Sequence, residues 1–179
     1  MASILGVETL QHTNGTTAAT IDSSGVMRFP NSLFSYNLFR LNTDLTANTD
    51  PITTWDKPTD QQFESNVTVS SGIFSFSTTG IYLVKFIGTS EAVPNDQIGV
   101  HIQKTTDNSS YSSIASCFQS GDGSTTGDGS FTTEAIVDVT DTINVKVKLI
   151  LTSVNSGSTL MGISTHNQSL VSFMRLGDT

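Results

Sequence analysis

Phe74-Ser75-Phe76-Ser77-Thr78-Thr79-Gly80-Ile81-Tyr82-Leu83-Val84 alternates apolar and polar residues, turns, and then becomes apolar on both sides. Alternation over Gly72-Ile73-Phe74-Ser75-Phe76 is the pattern of a half-buried strand. Thr79-Gly80 reads as the turn, and Gly80 tolerates the positive φ that a turn can require. Ile81-Tyr82-Leu83-Val84-Lys85-Phe86-Ile87 then carries apolar side chains at even and odd positions, which suits a strand covered on two faces. Tyr82 can fill an interior with its ring while its hydroxyl reaches a polar partner.

The same signature recurs on either side. Ile98–Lys104 alternates, Asp107-Asn108-Ser109-Ser110 is a turn, and Tyr111–Gln119 holds a strand around Ile114, Cys117 and Phe118. Phe131–Val139 and Thr142–Leu151 are two more strands, separated by Thr140-Asp141. The second is expected to set Ile143, Val145, Val147, Leu149 and Leu151 on one face, with Asn144, Lys146 and Lys148 opposite. Met161–Ser164 is a short strand, and Leu170–Leu176 closes the chain. Upstream, Phe34, Tyr36, Leu38, Arg40 and Asn42 share one face of a strand, with Asn37, Phe39 and Leu41 on the other. A long polar connection follows up to Asp60, with Trp55 expected to pin it to the edge of the fold. Eight or nine strand signatures, no helical period and turns between them predict an all-β sandwich or barrel.

Composition agrees. Charged residues are 13% of the chain, against about 25% in an average domain. The net charge of −8, with scattered Lys and Arg, argues against nucleic-acid binding, which needs clustered bases. No apolar run approaches the ~18 residues of a membrane span, so no membrane insertion is expected. The start lacks the basic and long apolar regions of a signal peptide, so synthesis in a cytosol is expected.

Residues 1–32 differ from the body at 33–179. Asn14-Gly15 and Ser23-Ser24-Gly25 are turn signals between short apolar strips. Large apolar residues are too few for an independent core, so the segment reads as an arm. Its candidate contact residues are Ile4, Leu5, Val7, Leu10, Ile21, Met27 and Phe29.

From about residue 34 to 176 the order of features resembles the globular head of complement component one-q and the tumour-necrosis-factor family. The stretches that carry it are Tyr36–Leu41, Phe74–Val84 with its Gly-x-Tyr step, Phe131–Val147 as a hairpin of a short apolar strand, an acidic turn and a long alternating strand, and Ser169–Leu176. Met174 and Arg175 stand where the family pattern of the closing strand has its glycine region. The resemblance implies a jelly roll that assembles as a homotrimer, and Tyr82, Val84, Phe86 and Phe173 are the candidate trimer and core residues. The arm is similar to segments of tail-fibre and head-surface proteins of tailed bacteriophages. That similarity implies a virion protein made in the host cytoplasm. Two roles follow: a capsid decoration or cement protein bound to the major capsid protein or other virion proteins, or a fibre tip recognising host glycan.

Enzymatic chemistry finds little support in the residues. No Gly-x-Ser-x-Gly elbow accompanies His12, His101 and His166. Gly121–Gly129 lacks the lysine of a phosphate loop and has only Asp122 and Asp128 as carboxylates, too few for a calcium loop. It reads as a flexible hairpin tip, with Asp122, Ser124 and Asp128 as exposed contacts. Cys117 reads as a small hydrophobe, and the Asn-x-Ser/Thr sites at Asn14, Asn66, Asn108 and Asn167 as chance products of composition. No cofactor or metal is expected.

Overall fold

The computed structural model describes residues 8–11, 15, 17–21, 23–25, 27–28, 35–154 and 157–179. The chain divides into two compact units, Met1–Leu33 and Phe34–Thr179.

In the first unit β1 (Thr9–Gln11), β2 (Thr17–Ile21) and β3 (Met27–Arg28) form one antiparallel sheet in that order. Leu10 lies opposite Ala19 and Ile21 opposite Met27, which puts these four on one face.

The second unit is a jelly-roll sandwich. Its strands are β4 (Ser35–Leu41), β5 (Thr43–Leu45), β6 (Trp55–Asp56), β7 (Val67–Ser70), β8 (Ile73–Phe76) and β9 (Gly80–Ala92), then β10 (Gln97–Thr105), β11 (Ser112–Ser120), β12 (Gly127–Val139), β13 (Lys146–Thr152), β14 (Thr159–Ile163) and β15 (Leu170–Gly177). One sheet has the order β11-β10-β13-β8-β7; the other runs β5-β14-β9-β15-β4-β6, with β12 also paired to β9. Every pairing is antiparallel.

The core is aromatic at one end. Phe74 packs on Phe39, Trp55 and Phe173 with ring centroids 5.1, 5.7 and 4.8 Å apart, and Phe76 meets Tyr82 at 4.7 Å. Ile98, Val100, Ile102, Val147, Leu149 and Leu151 extend it along the sheet that carries Phe74 and Phe76. Burying each such side chain contributes about 1.5–3 kcal/mol. Trp55 is buried as expected; its indole N–H donates to the Ile52 carbonyl at 2.9 Å.

Several details depart from the sequence reading. The hairpin expected over Phe131–Val147 is instead two strands in different sheets, β12 and β13, and β7 forms where no strand was expected. The strand expected at Thr142–Leu151 begins only at Lys146. Asp141 accepts hydrogen bonds from the backbone N–H groups of Ile143 and Asn144, and this local turn overrides the alternation. Ile143 is therefore 73% exposed rather than in the core. The segment at Gly121–Gly129 is not a hairpin tip either: it crosses from β11 in one sheet to β12 in the other, and Asp128 already lies in β12, opposite Glu91. The polar connection before Asp60 carries two short strands, β5 and β6, that alternation does not reveal.

Candidate functional site

Strand β9 has two faces with different fates. Tyr82, Val84 and Phe86 are fully buried against the core, as is Phe173 on β15. These four side chains hold the sandwich interior, so they have no surface to offer a neighbouring subunit. The outward positions fall to residues between them. Met174 pairs with both Leu83 and Tyr36, and Leu83 pairs with Ile136. Tyr36, Met174, Leu83 and Ile136 thus form one transverse row across β4, β15, β9 and β12. Ile136 is 57% exposed and Met174 38%. Two steps along, Ile87 sits opposite Leu170 and Thr132 on the same face. Between them Lys85 and Glu134 face each other with Nζ and Oε2 3.7 Å apart. This sheet surface carries the apolar row and two ion pairs, Lys85–Glu134 and, beside Leu170, Arg40–Asp56 at 3.0 Å.

The polar groups behind that sheet serve the fold. Gly80 has φ +144°, and a Cβ there would stand 2.5 Å from the Gly177 carbonyl oxygen and 2.6 Å from Arg175 Nε. Arg175 is buried, donates to the Thr79 carbonyl at 3.0 Å and pairs with Asp178. The Tyr82 hydroxyl donates to the Thr78 carbonyl at 2.9 Å; burial raises its pKa, and the nearby Arg175 charge opposes the shift. The Gly-x-Tyr step therefore anchors the start of β9 and the end of β15 together. Asn37, fully buried, donates to Asn66 and the Glu64 carbonyl and accepts from Lys57 and the Val67 N–H. Desolvation lowers the Lys57 pKa.

The loop candidates are bound to their own backbone. Asp122 accepts from the N–H groups of Ser124 and Thr125 at 2.9 and 2.6 Å and from the Thr125 hydroxyl at 2.9 Å. These bonds bring its pKa down to about 2. Asp107 and Asp141 make the same kind of turn and are likewise lowered by backbone N–H groups. Ser124 and Asp128 are exposed, Asp128 on its strand. Among the described residues no three His, Cys, Asp or Glu side chains converge as a metal would require. Cys117 packs against the core, and burial pushes its thiol up to about 11. His101 and His166 lie far apart in sequence on β10 and in an exposed late loop; His12 lies outside the described residues.

In the first unit Leu10 and Met27 are 42% and 48% exposed, and Ile21 is half-buried. Ile4, Leu5, Val7 and Phe29 lie outside the described residues.

Sequence reading found the inward residues and missed the outward row. Leu83, Ile136 and Met174 become neighbours only through strand pairings that the sequence does not display.

No protein-family model and no curated protein matches the chain. Solved structures do. The crystal structure of murine APRIL at pH 5.0 matches with a TM-score of 0.61 and 12% identity, over 80% of this chain and 99% of that one. The Eiger TNF structure from S. frugiperda matches with a TM-score of 0.63 and 17% identity, over 82% and 94% respectively. At such identities the likeness is one of fold: the body is a jelly-roll β-sandwich of the tumour-necrosis-factor type.

Proposed function

We propose that the protein is a non-enzymatic virion structural protein, a homotrimer that decorates a phage capsid and is attached through its N-terminal unit. The observation that carries the assembly is the outward row Tyr36–Met174–Leu83–Ile136 with Ile87 beside it. An apolar sheet face of this kind is stabilised by being covered, and the family resemblance supplies threefold association as the arrangement that covers it. Attachment through the first unit is supported by the small sheet among its described residues, whose one apolar face, Leu10, Ala19, Ile21 and Met27, leaves Leu10 and Met27 half open. The virion role rests on the likeness of residues 7–25 to phage fibre and head-surface segments.

Two measurements test this. Sedimentation at micromolar concentration is expected to give three times the 19.1 kDa chain mass; a stable monomer sinks the assembly. Removing residues 1–32 is expected to abolish binding to empty capsid shells while leaving that mass ratio intact; unchanged shell binding sinks the decoration role. The second reading, a tip that recognises host glycan, is favoured by a separate feature on the opposite sheet.

A further inference from the structure

Strand β10 turns Ile98, Val100 and Ile102 into the core, so Gln97, Gly99, His101 and Gln103 face outward. Their partners on β11 are Ser120 opposite Gln97, Phe118 opposite Gly99, Ser116 opposite His101 and Ser113 opposite Gln103. On β13, Thr152 stands opposite Gly99 and Ile150 opposite His101. At the centre is Phe118, an aromatic residue on an edge strand that is 45% exposed.

The ring is held in place by its surroundings. A Cβ at Gly99 would come within 2.4 Å of one Phe118 ring carbon, so the ring edge lies in a notch that only glycine provides. His101 stands perpendicular to it, with centroids 5.4 Å apart. His101 Nε2 is itself fixed at 3.1 Å from the Thr152 hydroxyl. A fixed aromatic pays little ordering entropy on binding. The Gln97 and Gln103 amides each donate to a serine, Ser120 and Ser113, at 3.3 and 3.2 Å, and each retains an amide oxygen for a ligand.

Charge decides the class of ligand. The chain carries 16 acids and eight Lys and Arg, yet the outward side chains of β10 and β11 around Phe118 are amides, hydroxyls and one imidazole, with Ile150 of β13 beyond His101. Lys148, the outward cation opposite Gln103, is engaged by Asp50 at 2.5 Å and lies over the Tyr111 ring. Nucleic acid would need a basic track beside the aromatic. An apolar protein partner would need more than one large side chain at the centre. A neutral pyranose meets the surface on both counts, with its C–H face on the ring and its hydroxyls on the amides and serines.

We propose that the outer face of β10 and β11 is a binding platform for uncharged sugars, with Phe118 as the stacking group and Gln97, His101 and Gln103 as polar contacts. This deepens the second reading above and rests on it. Saturation-transfer NMR with neutral methyl glucoside, galactoside, mannoside and N-acetylglucosaminide, and with sialic acid for comparison, tests it on the full chain. Transfer to a neutral sugar is expected, centred on its C–H face. Phe118→Ala is expected to weaken binding roughly ten-fold, the scale of one lost aromatic contact, and Phe118→Tyr to retain it. Gln97→Ala, which touches no core residue, is expected to weaken it as well. Absence of transfer to every neutral sugar, or equal binding by Phe118→Ala, overturns the proposal. So does transfer to sialic acid alone. Mass is read in parallel: if Phe118→Ala breaks the oligomer, Phe118 belongs to a subunit contact and the platform is refuted, whereas loss of sugar binding at constant mass supports it. A failed sugar titration at trimeric mass leaves the assembly standing.

Discussion

Gly80 concentrates several constraints at one backbone position. Its φ of +144° is outside the range that side chains favour, and a Cβ would press on both the Gly177 carbonyl and the Arg175 guanidinium. Arg175 cannot retreat freely, because it is buried and bonded to the Thr79 carbonyl. Gly80→Ala is therefore expected to cost about 1–3 kcal/mol or more in a urea unfolding curve. Unchanged stability would mean that the β9–β15 junction is softer than its geometry implies. A different residue-scale effect comes from Asp122. Its folded-state pKa is depressed to about 2, below the ordinary carboxylate value of about 3.9. Its turn is thus fully formed above pH 4 and is lost as pH falls through the folded value. The Thr125 amide resonance is expected to titrate near pH 2, and Asp122→Asn is expected to abolish that transition. A midpoint near 4 would show that the carboxylate does not hold the turn.

At the scale of the element, β9 explains why a strand can look doubly buried and yet have an open face. Tyr82, Val84 and Phe86 carry the core, while Ile81, Leu83 and Ile87 give the impression of a second buried side. The proposed subunit contact would account for that second side, which the chain's own packing leaves open. Ile136→Lys on β12 tests the point. Ile136 is 57% exposed in the single chain, so the substitution leaves the core intact. It is expected to reduce the sedimenting mass to that of a monomer while the circular dichroism spectrum stays that of a folded β protein. A lysine variant that remains trimeric would move the interface elsewhere. The same strand marks what sequence could and could not reveal. Alternation identified Phe74 and Phe76 because burial imposes period two along a single strand; Tyr82 and Phe173 came from the family resemblance. It misplaced Ile143, where Asp141 caps a turn, and missed β5 and β6, which are too short for a pattern to develop. The outward row and the Phe118 platform were hidden for a deeper reason: each is assembled from three or four strands whose pairing is long-range, and register is not written in any one of them.

At the scale of the whole molecule, the two units bear unequal shares of the stability. Every residue of the aromatic and aliphatic core cluster lies between Phe39 and Phe173, inside the unit Phe34–Thr179. Among its described residues the first unit has strands of three, five and two residues, and Leu10 and Met27 remain half open. Strands that short bury little apolar surface, whereas a domain of the second unit's size buries enough to fold unaided. Removing residues 1–32 should therefore barely move the main thermal transition, by less than roughly the 2–4 °C that 1 kcal/mol produces in a domain of 150 residues or more. The trimer mass should survive as well, because the row at Tyr36, Leu83, Ile136 and Met174 lies wholly in the second unit. Calorimetry and sedimentation on the shortened chain check both expectations together. A lower transition at unchanged mass would make the first unit part of the folded core. A monomer with an unchanged transition would instead make the first unit the element that holds three chains together, and the sheet face would then be open to another partner.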